Sequence, residues 1–353
     1  MTMRVLIVDD SAFMRRAVTS MLTSDPEIQV VASARNGQEA VDLAKKLKPD
    51  VITLDIEMPE MDGLTALRHI MREAPTQVLM FSSLTTEGSH ASLKALKLGA
   101  ADVLAKDQSQ VSLAVTNLKD DLLQRVKALG ASTRHRRPTG SAAPTSASDK
   151  PPQFRPGQFD VVVIGSSTGG PPVLETILGS IPANLATPIV IAQHMPQVFT
   201  RSMAERLNDL CPLNVVHAND GMMLERRCAY IAPGEQHTQI QKLSLARWQL
   251  KVGPEPSGHL FKPSVDVLFE SAAQAVGKRT LAIVLTGIGE DGLQGARQLH
   301  ALGAPILAQS QETCVVYGMP KAVTQAALVT ACLSPNDLAQ TLRSLLAVTA
   351  GAA

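Results

Sequence analysis

The chain has 353 residues, with 33 Lys and Arg against 32 Asp and Glu, for a formal net charge of +1. Hydrophobic residues make up 45% of it, which excludes a wholly disordered chain. The charge balance, with only 3% aromatic residues, excludes a nucleic-acid binder built on overall attraction or on base stacking. The four cysteines, Cys211, Cys228, Cys314 and Cys332, form no CxxC pair, so neither a zinc site nor a thioredoxin motif is expected. The opening MTMRVLIVDDSAF places two acids where a signal peptide needs an apolar run. No apolar run approaches the ~20 residues of a membrane span. The expectation is a cytoplasmic protein that neither binds nucleic acid nor inserts into a membrane.

In chain order, RVLIVDD, QVVASA, VITLD, QVLMFS and DVLAK are short apolar runs rich in β-branched residues. Helical stretches such as 12–22 and 38–47 alternate with them, apolar at i, i+3, i+4 spacing. Five βα units predict a flavodoxin-like domain with a five-stranded parallel sheet over 1–129. Residues 130–158, dominated by Gly, Ser, Thr, Ala and Pro, read as a flexible linker spanning on the order of 30 Å. The basic cluster Arg134, Arg136 and Arg137 reads as part of that solvated linker. Residues 159–347 resume the alternation. DVVVIG, PIVIAQH, LAIVLTG and PILAQS predict a doubly wound, mainly parallel α/β domain. Residues 228–252 read as short antiparallel strands inserted in that series. Residues 1–126 carry a net charge of −3 and the rest +4, so the two parts could dock.

The first domain concentrates charge at strand ends. Asp9 and Asp10 follow the first strand, Asp55 ends the third, Ser82 the fourth and Lys106 the fifth. In a parallel sheet these ends line one crevice. Three carboxylates there need a cation, and all-oxygen ligands suit Mg²⁺. A lysine and a hydroxyl on the same edge would meet an anion, as a phosphorylatable carboxylate requires.

In the second domain DVVVIG runs into Ser166-Ser167-Thr168-Gly169-Gly170-Pro171-Pro172 and then a helix, with proline at a plausible first helical position. A helix N-terminus offers N–H groups to an oxyanion or a phosphate. There is no GxxxxGK[ST], GxGxxG or GxSxG here. His194 ends a second strand and Asp291 follows a third, so a nucleophile, a base and an orienting acid could meet. His217, His237, His259 and His300 compete with His194. Glu290, Asp220 and Asp266 compete with Asp291, which could also cap a helix starting near Leu293. Ser166 and Ser167 are equal candidates. PSVDVLF reads as a helix start capped by Ser264, with Val267, Leu268 and Phe269 buried; Cys314 and Met319 read as core and turn residues.

Residues 1–126 resemble a response-regulator receiver, through Asp9-Asp10, Asp55 within LDIEMPEMDG, Ser82 and Lys106. The resemblance implies that Asp55 accepts phosphate from a histidine kinase and that Ser82 is the switch hydroxyl. It also implies Mg²⁺ held by Asp10, Asp55 and the Glu57 carbonyl, with Asp9 acting through water. Receivers usually carry Lys-Pro at the fifth strand, often with a cis bond. Here Asp107 follows Lys106, and a cis bond there would cost about 2.5–4 kcal/mol. Residues 159–347 resemble the CheB family of chemotaxis methylesterases, through GSSTGG, AQHMP, YIAPG, PSVDVLF, LTGIGEDG and CVVYGMPK. That likeness implies Ser167 as nucleophile, His194 as base and Asp291 as its orienting partner. Backbone N–H groups at or near Thr168, His194 and Ile288 would form the oxyanion hole. Ile288 stands where Met is usual, and Lys262 where Arg is common, keeping the charge without the bidentate geometry. The implied activity is hydrolysis of glutamate methyl esters on chemoreceptor cytoplasmic helices, and deamidation of glutamines there, with no cofactor for the hydrolysis. An unphosphorylated receiver would cover the cleft, and phosphorylation would open it. The competing reading is a phospho-dependent binding module without chemistry. A DNA-binding regulator would need a basic recognition helix after the linker, where instead an apolar strand and a Gly-rich turn follow.

Overall fold

The computed structural model describes residues 2–106, 113–135 and 150–345. The chain divides into two compact units, Met1–Ser141 and Ala142–Ala353.

The first unit alternates β1 (Met3–Val8), α1 (Ala12–Thr23), β2 (Ile28–Ala34), α2 (Gly37–Leu47), β3 (Val51–Asp55), α3 (Gly63–Glu73), β4 (Gln77–Ser83), α4 (Thr86–Lys97), β5 (Asp102–Lys106) and α5 (Leu113–His135). Its sheet has the order β2-β1-β3-β4-β5, with every ladder parallel. Strand β3 (VITLD) is buried at every position, as a strand covered on both faces must be. Side chains satisfy the first free amides of the helices: Ser11 caps α1, Asn36 α2, Asp62 α3 and Thr85 α4. Chain order reverses between β1 and β3, so the crevice for a ligand opens at the carboxyl ends of those two strands.

Helix α5 continues past the start expected for the linker. It runs six residues past Leu129, because Leu122, Val126 and Leu129 continue one buried stripe and no proline interrupts the chain before Pro138. Arg136, Arg137 and the side chain of Arg134 lie outside the described residues, as does Asp107 with its bond to Lys106.

The second unit contains β6 (Val161–Ser166), α6 (Gly170–Gly179), β7 (Ile189–Gln193), α7 (Gln197–Leu210), β8 (Asn214–His217), β9 (Cys228–Ile231), β10 (His237–Ser244), β11 (Arg247–Gly253), α8 (Val265–Ala275), β12 (Thr280–Val284), α9 (Leu293–Ala301), β13 (Ile306–Gln309), α10 (Met319–Gln325), β14 (Ala331–Leu333) and α11 (Pro335–Arg343). Seven strands form one sheet in the order β14-β13-β12-β6-β7-β9-β8, every ladder parallel. Among the described strands only β10 and β11 pair antiparallel, as a separate hairpin, and Met223 adds an isolated antiparallel bridge to Gln249 of β11. The inserted antiparallel segment therefore begins later than its sequence suggests. CAYI joins the main sheet between β7 and β8, wholly buried, while 237–253 alone makes the hairpin.

The chain builds outward from β6, first toward β7, β9 and β8, then back to β12, β13 and β14. The switch point thus falls between β6 and β12, and the crevice beyond their carboxyl ends is where such folds bind ligands. Among the described residues no helix is long and apolar enough to cross a membrane.

Candidate active site

The turn after β6 carries Ser167. Its N–H donates to Thr286 O at 3.1 Å, fastening the turn to the segment after β12. Its carbonyl accepts from the Gln193 amide Nε2 at 2.9 Å, fastening it to the end of β7. Gly169 makes the turn possible: its φ of +79° lies where side-chain-bearing residues are strained, and a Cβ there would sit 2.5 Å from Val315 Cβ. Helix α6 then starts with Pro171 and Pro172 in its first turn, as expected. Ser166 stays inside: its side chain is fully buried and its carbonyl accepts the His194 N–H at 3.0 Å.

The β6–β7 ladder pairs Ser166 with Gln193, so Ser167 and His194 leave their strands abreast. His194 is 7% exposed and its ring stacks on Phe261, centroids 4.3 Å apart and planes 12° from parallel. Its Nε2 lies 2.8 Å from Asp291 Oδ2. Its Nδ1 is buried and makes no hydrogen bond among the described residues. With Nε2–H donated to Asp291, Nδ1 carries the lone pair.

Asp291 is held by more than the histidine. Oδ2 also accepts the Val265 N–H at 2.7 Å, while Oδ1 accepts the Ser264 hydroxyl at 2.9 Å and the Asp266 N–H at 3.0 Å. The carboxylate therefore sits on the first turn of α8, where the free amides and the helix dipole favour negative charge. Burial works against its ionisation, but the His194 bond and the α8 amides outweigh burial and hold its pKa down to about 2. Asp291 does not cap α9, whose preceding residue is Gly292 with no side-chain cap. PSVDVLF does start a helix capped by Ser264, with Val267, Leu268 and Phe269 buried, and it also seats the acid.

Gly287 comes against the nucleophile turn from the other side. A Cβ there would lie 2.7 Å from Ser167 Cβ and 2.3 Å from Met319 Sδ, so only glycine fits. Next to it, the Ile288 N–H makes no hydrogen bond within the described residues, whereas the His194 N–H is spent on Ser166 O and is not available to an oxyanion. The CVVYGMPK segment laces this corner: Gly287 N–H donates to Val316 O, and Gly318 and Met319 N–H donate to Gly287 O. Cys314 is buried, and burial pushes its thiol up to about 12, so it holds no thiolate at neutral pH. Of the competing histidines, His217 bonds Thr200 and His300 bonds Leu328 O, while His237 lies behind Ser264.

In the first unit Lys106 Nζ bonds Asp9 at 2.8 Å and Asp55 at 2.7 Å. One oxygen from each of Asp9, Asp10 and Asp55 lies within 4.8 Å of the others, an all-oxygen set that suits a small hard divalent cation. Burial raises the Asp55 carboxyl above its ordinary pKa, with Lys106 opposing and Asp9 adding to the rise. Burial would lower the Lys106 ammonium; its bonds to Asp55 and Asp9 outweigh that and hold it above its usual value. The Glu57 N–H leans on Asp55 Oδ1 at 3.4 Å. The Ser82 hydroxyl, fully buried, donates to Gly88 O at 3.0 Å and makes no bond to Asp55.

A receiver-type acidic crevice and a Ser–His–Asp constellation at a second switch point define the class: a response regulator whose partner domain is a hydrolase. Residues 5–116 match the response regulator receiver domain model, and residues 162–342 match the CheB methylesterase model. The chain is 48% identical to a protein-glutamate methylesterase/protein-glutamine glutaminase of Oleidesulfovibrio alaskensis, over 96% of this chain and 98% of that one. It is 42% identical to one from Pseudomonas putida, over 97% and 99%. The CheB methylesterase catalytic domain of Thermotoga maritima, 37% identical, superposes with a TM-score of 0.51, covering 53% of this chain and 99% of that domain. The chain belongs to the protein-glutamate methylesterase/protein-glutamine glutaminase family.

Proposed function

We propose that Ser167, His194 and Asp291 hydrolyse glutamate γ-methyl esters on the cytoplasmic helices of a chemoreceptor, and the side-chain amides of glutamines there. The observation that carries this reading is the His194 ring, with Nε2 tied to a buried carboxylate and Nδ1 left buried and unbonded, on a residue whose backbone leaves its strand abreast of Ser167. His194 Nδ1 takes the Ser167 proton as Oγ attacks the ester carbonyl. The Asp291 carboxylate stabilises the imidazolium that forms. Backbone N–H groups at Thr168 and Ile288 receive the oxyanion. His194 returns its proton to the leaving methanol, or ammonia from a glutamine. Water, activated by the same nitrogen, then releases the acid from Ser167.

Asp55 is the phosphoacceptor, supplied by a histidine kinase. Asp9, Asp10, Asp55 and the Glu57 carbonyl would hold Mg²⁺, which supplies positive charge to the phosphoryl oxygens when bound. Lys106, on Asp55 already, is placed to pair with the phosphoryl group, and Ser82 is the switch hydroxyl, leaving Gly88 O to reach it. The boundaries we assign are a receiver domain over 1–129, a linker over 130–158 and a catalytic domain over 159–347, with helix α5 continuing past the first boundary to His135.

Methanol release from methyl-labelled receptor membranes tests this, with wild type and Ser167→Ala compared with and without Mg²⁺ and a small phosphodonor. Release by wild type alone, raised by the phosphodonor, is expected. Near wild-type turnover by Ser167→Ala would remove the serine assignment. No release from demonstrably phosphorylated wild type would favour a binding module without chemistry.

A further inference from the structure

The acid of the site is positioned by a segment that is itself held from behind. Three of the four hydrogen bonds to Asp291 come from Ser264, Val265 and Asp266, so the carboxylate goes where the first turn of α8 goes. Ser264 is the hinge of that turn. Its Oγ accepts the Val267 N–H at 3.3 Å as the helix cap and donates to Asp291. A capping residue also has its own N–H to satisfy, commonly through a Glu or Gln three positions on. That position holds Val267, which cannot do it. The partner here is His237 Nδ1, which accepts the Ser264 N–H at 3.3 Å.

His237 is the first residue of β10 and is fully buried. An apolar side chain would fill that place without the desolvation cost of an imidazole. Accepting at Nδ1 fixes the neutral tautomer with hydrogen on Nε2, and Nε2 has no partner among the described residues. The ring of His259 stands edge-on to it, centroids 5.5 Å apart.

We infer that His237 is a positioning residue for hydrolysis, acting through the Ser264 N–H to fix Asp291 and so the tautomer and orientation of His194. The inference rests on the assignment of Ser167, His194 and Asp291 given above. A protonated His237 would turn a donor toward the Ser264 N–H and release the cap. The groups that bear on its titration are burial, His259 and Lys262, which disfavour the cation, and Asp291 and Glu255, which favour it; together they keep the ring below the ordinary histidine range. The neutral acceptor therefore persists at neutral pH.

The test uses the full chain with a phosphodonor, measuring methanol release against pH for wild type, His237→Leu, His237→Asn and Asp291→Asn. Asn places an oxygen near the position of Nδ1 but cannot be protonated. His237→Leu should lower kcat about tenfold with KM unchanged, and move the acid limb to lower pH because a misplaced Asp291 supports the imidazolium less. His237→Asn should stay within about threefold of wild type, and its acid limb should keep a slope of one where wild type passes through a steeper stretch, about one further decade of fall, as His237 protonates. Should the Leu variant fail to fold, the Asn variant decides alone by its rate and slope. Wild-type kcat and acid limb in His237→Leu, or an Asn variant no better than Leu, would overturn the inference while a dead Asp291→Asn left the triad standing. A fully active Asp291→Asn would overturn both.

Discussion

Replacing Asp291 by Asn removes a charge without removing volume, and the geometry decides the result. Asn keeps one acceptor and converts the other oxygen to a donor. With its NH₂ at the Oδ2 position it opposes the Val265 N–H, and His194 must present Nε2 as acceptor. The ring proton then sits on Nδ1, and the base is lost. With its NH₂ at the Oδ1 position the Ser264 hydroxyl can turn to accept, but the Asp266 N–H is orphaned, at about 1–3 kcal/mol. In both orientations the charge that stabilises the imidazolium is gone. Loss of such a buried carboxylate costs roughly 10³- to 10⁴-fold in kcat, or about 4–5.5 kcal/mol. A KM within about threefold of wild type is expected, since the bond matters most once charge develops. Folding is affected too. The Asp291 pKa is about 2 against an ordinary 3.8, which stabilises the folded chain by on the order of 2 kcal/mol at neutral pH. That stability is complete above the ordinary value and is lost as pH falls through about 2, so the variant should melt lower at pH 7, with the gap closing toward pH 2. Initial rates of methanol release at saturating phosphodonor measure the first effect. A variant keeping more than a tenth of wild-type kcat would refute the role given to Asp291.

Three further substitutions probe separate parts of the molecule. In Gly287→Ala the new Cβ meets Ser167 Cβ at 2.7 Å; the Met319 thioether can move aside but the serine, tied at both N–H and C=O, cannot. Turnover should fall about 100-fold with the circular dichroism spectrum unchanged. Asp55→Asn should leave basal methanol release within about twofold and abolish its rise with a phosphodonor. Asp266, whose Oδ1 accepts the Gly295 N–H at 2.9 Å, has its pKa raised to about 6, chiefly by burial and then by nearby Asp291 and Glu270. An acid raised in the folded state favours folding when protonated, so that contribution is fully present below the ordinary 3.8 and is lost as pH rises through about 6. Asp266→Asn keeps the acceptor without the charge. It should raise stability at pH 7 by about 1 kcal/mol, allowing for the solvent that still reaches the group, and flatten the urea-midpoint profile between pH 4 and 6.

The parts of the site legible in the sequence are those that depend on one strand and the turn after it. An apolar run that stops at GSSTGG, at His194 or at LTGIGEDG marks a carboxyl end of a buried parallel strand, and the switch point of the sheet gathers such ends. The same rule located Asp9, Asp55 and Lys106. Where it fell short, the missing information was a contact distant in sequence. Nothing in PSVDVLF says that its free amides seat a carboxylate 25–27 residues later. Phe261 and His237 lie in segments without periodicity, and their tasks exist only where the chain returns, one ring against His194 and the other behind Ser264. The strand CAYI was a different case, because a signal was present. Four consecutive buried residues without alternation are the mark of a strand covered on both faces, whereas HTQIQKLS is mostly polar and runs from buried His237 to exposed Lys242, Leu243 and Ser244, as a hairpin reaching into solvent does. Grouping them merged a wall of the main sheet with the hairpin beside it. That division matters chemically: the main sheet sets Ser167 and His194 abreast, and His237, at the start of the hairpin, meets the turn that seats Asp291.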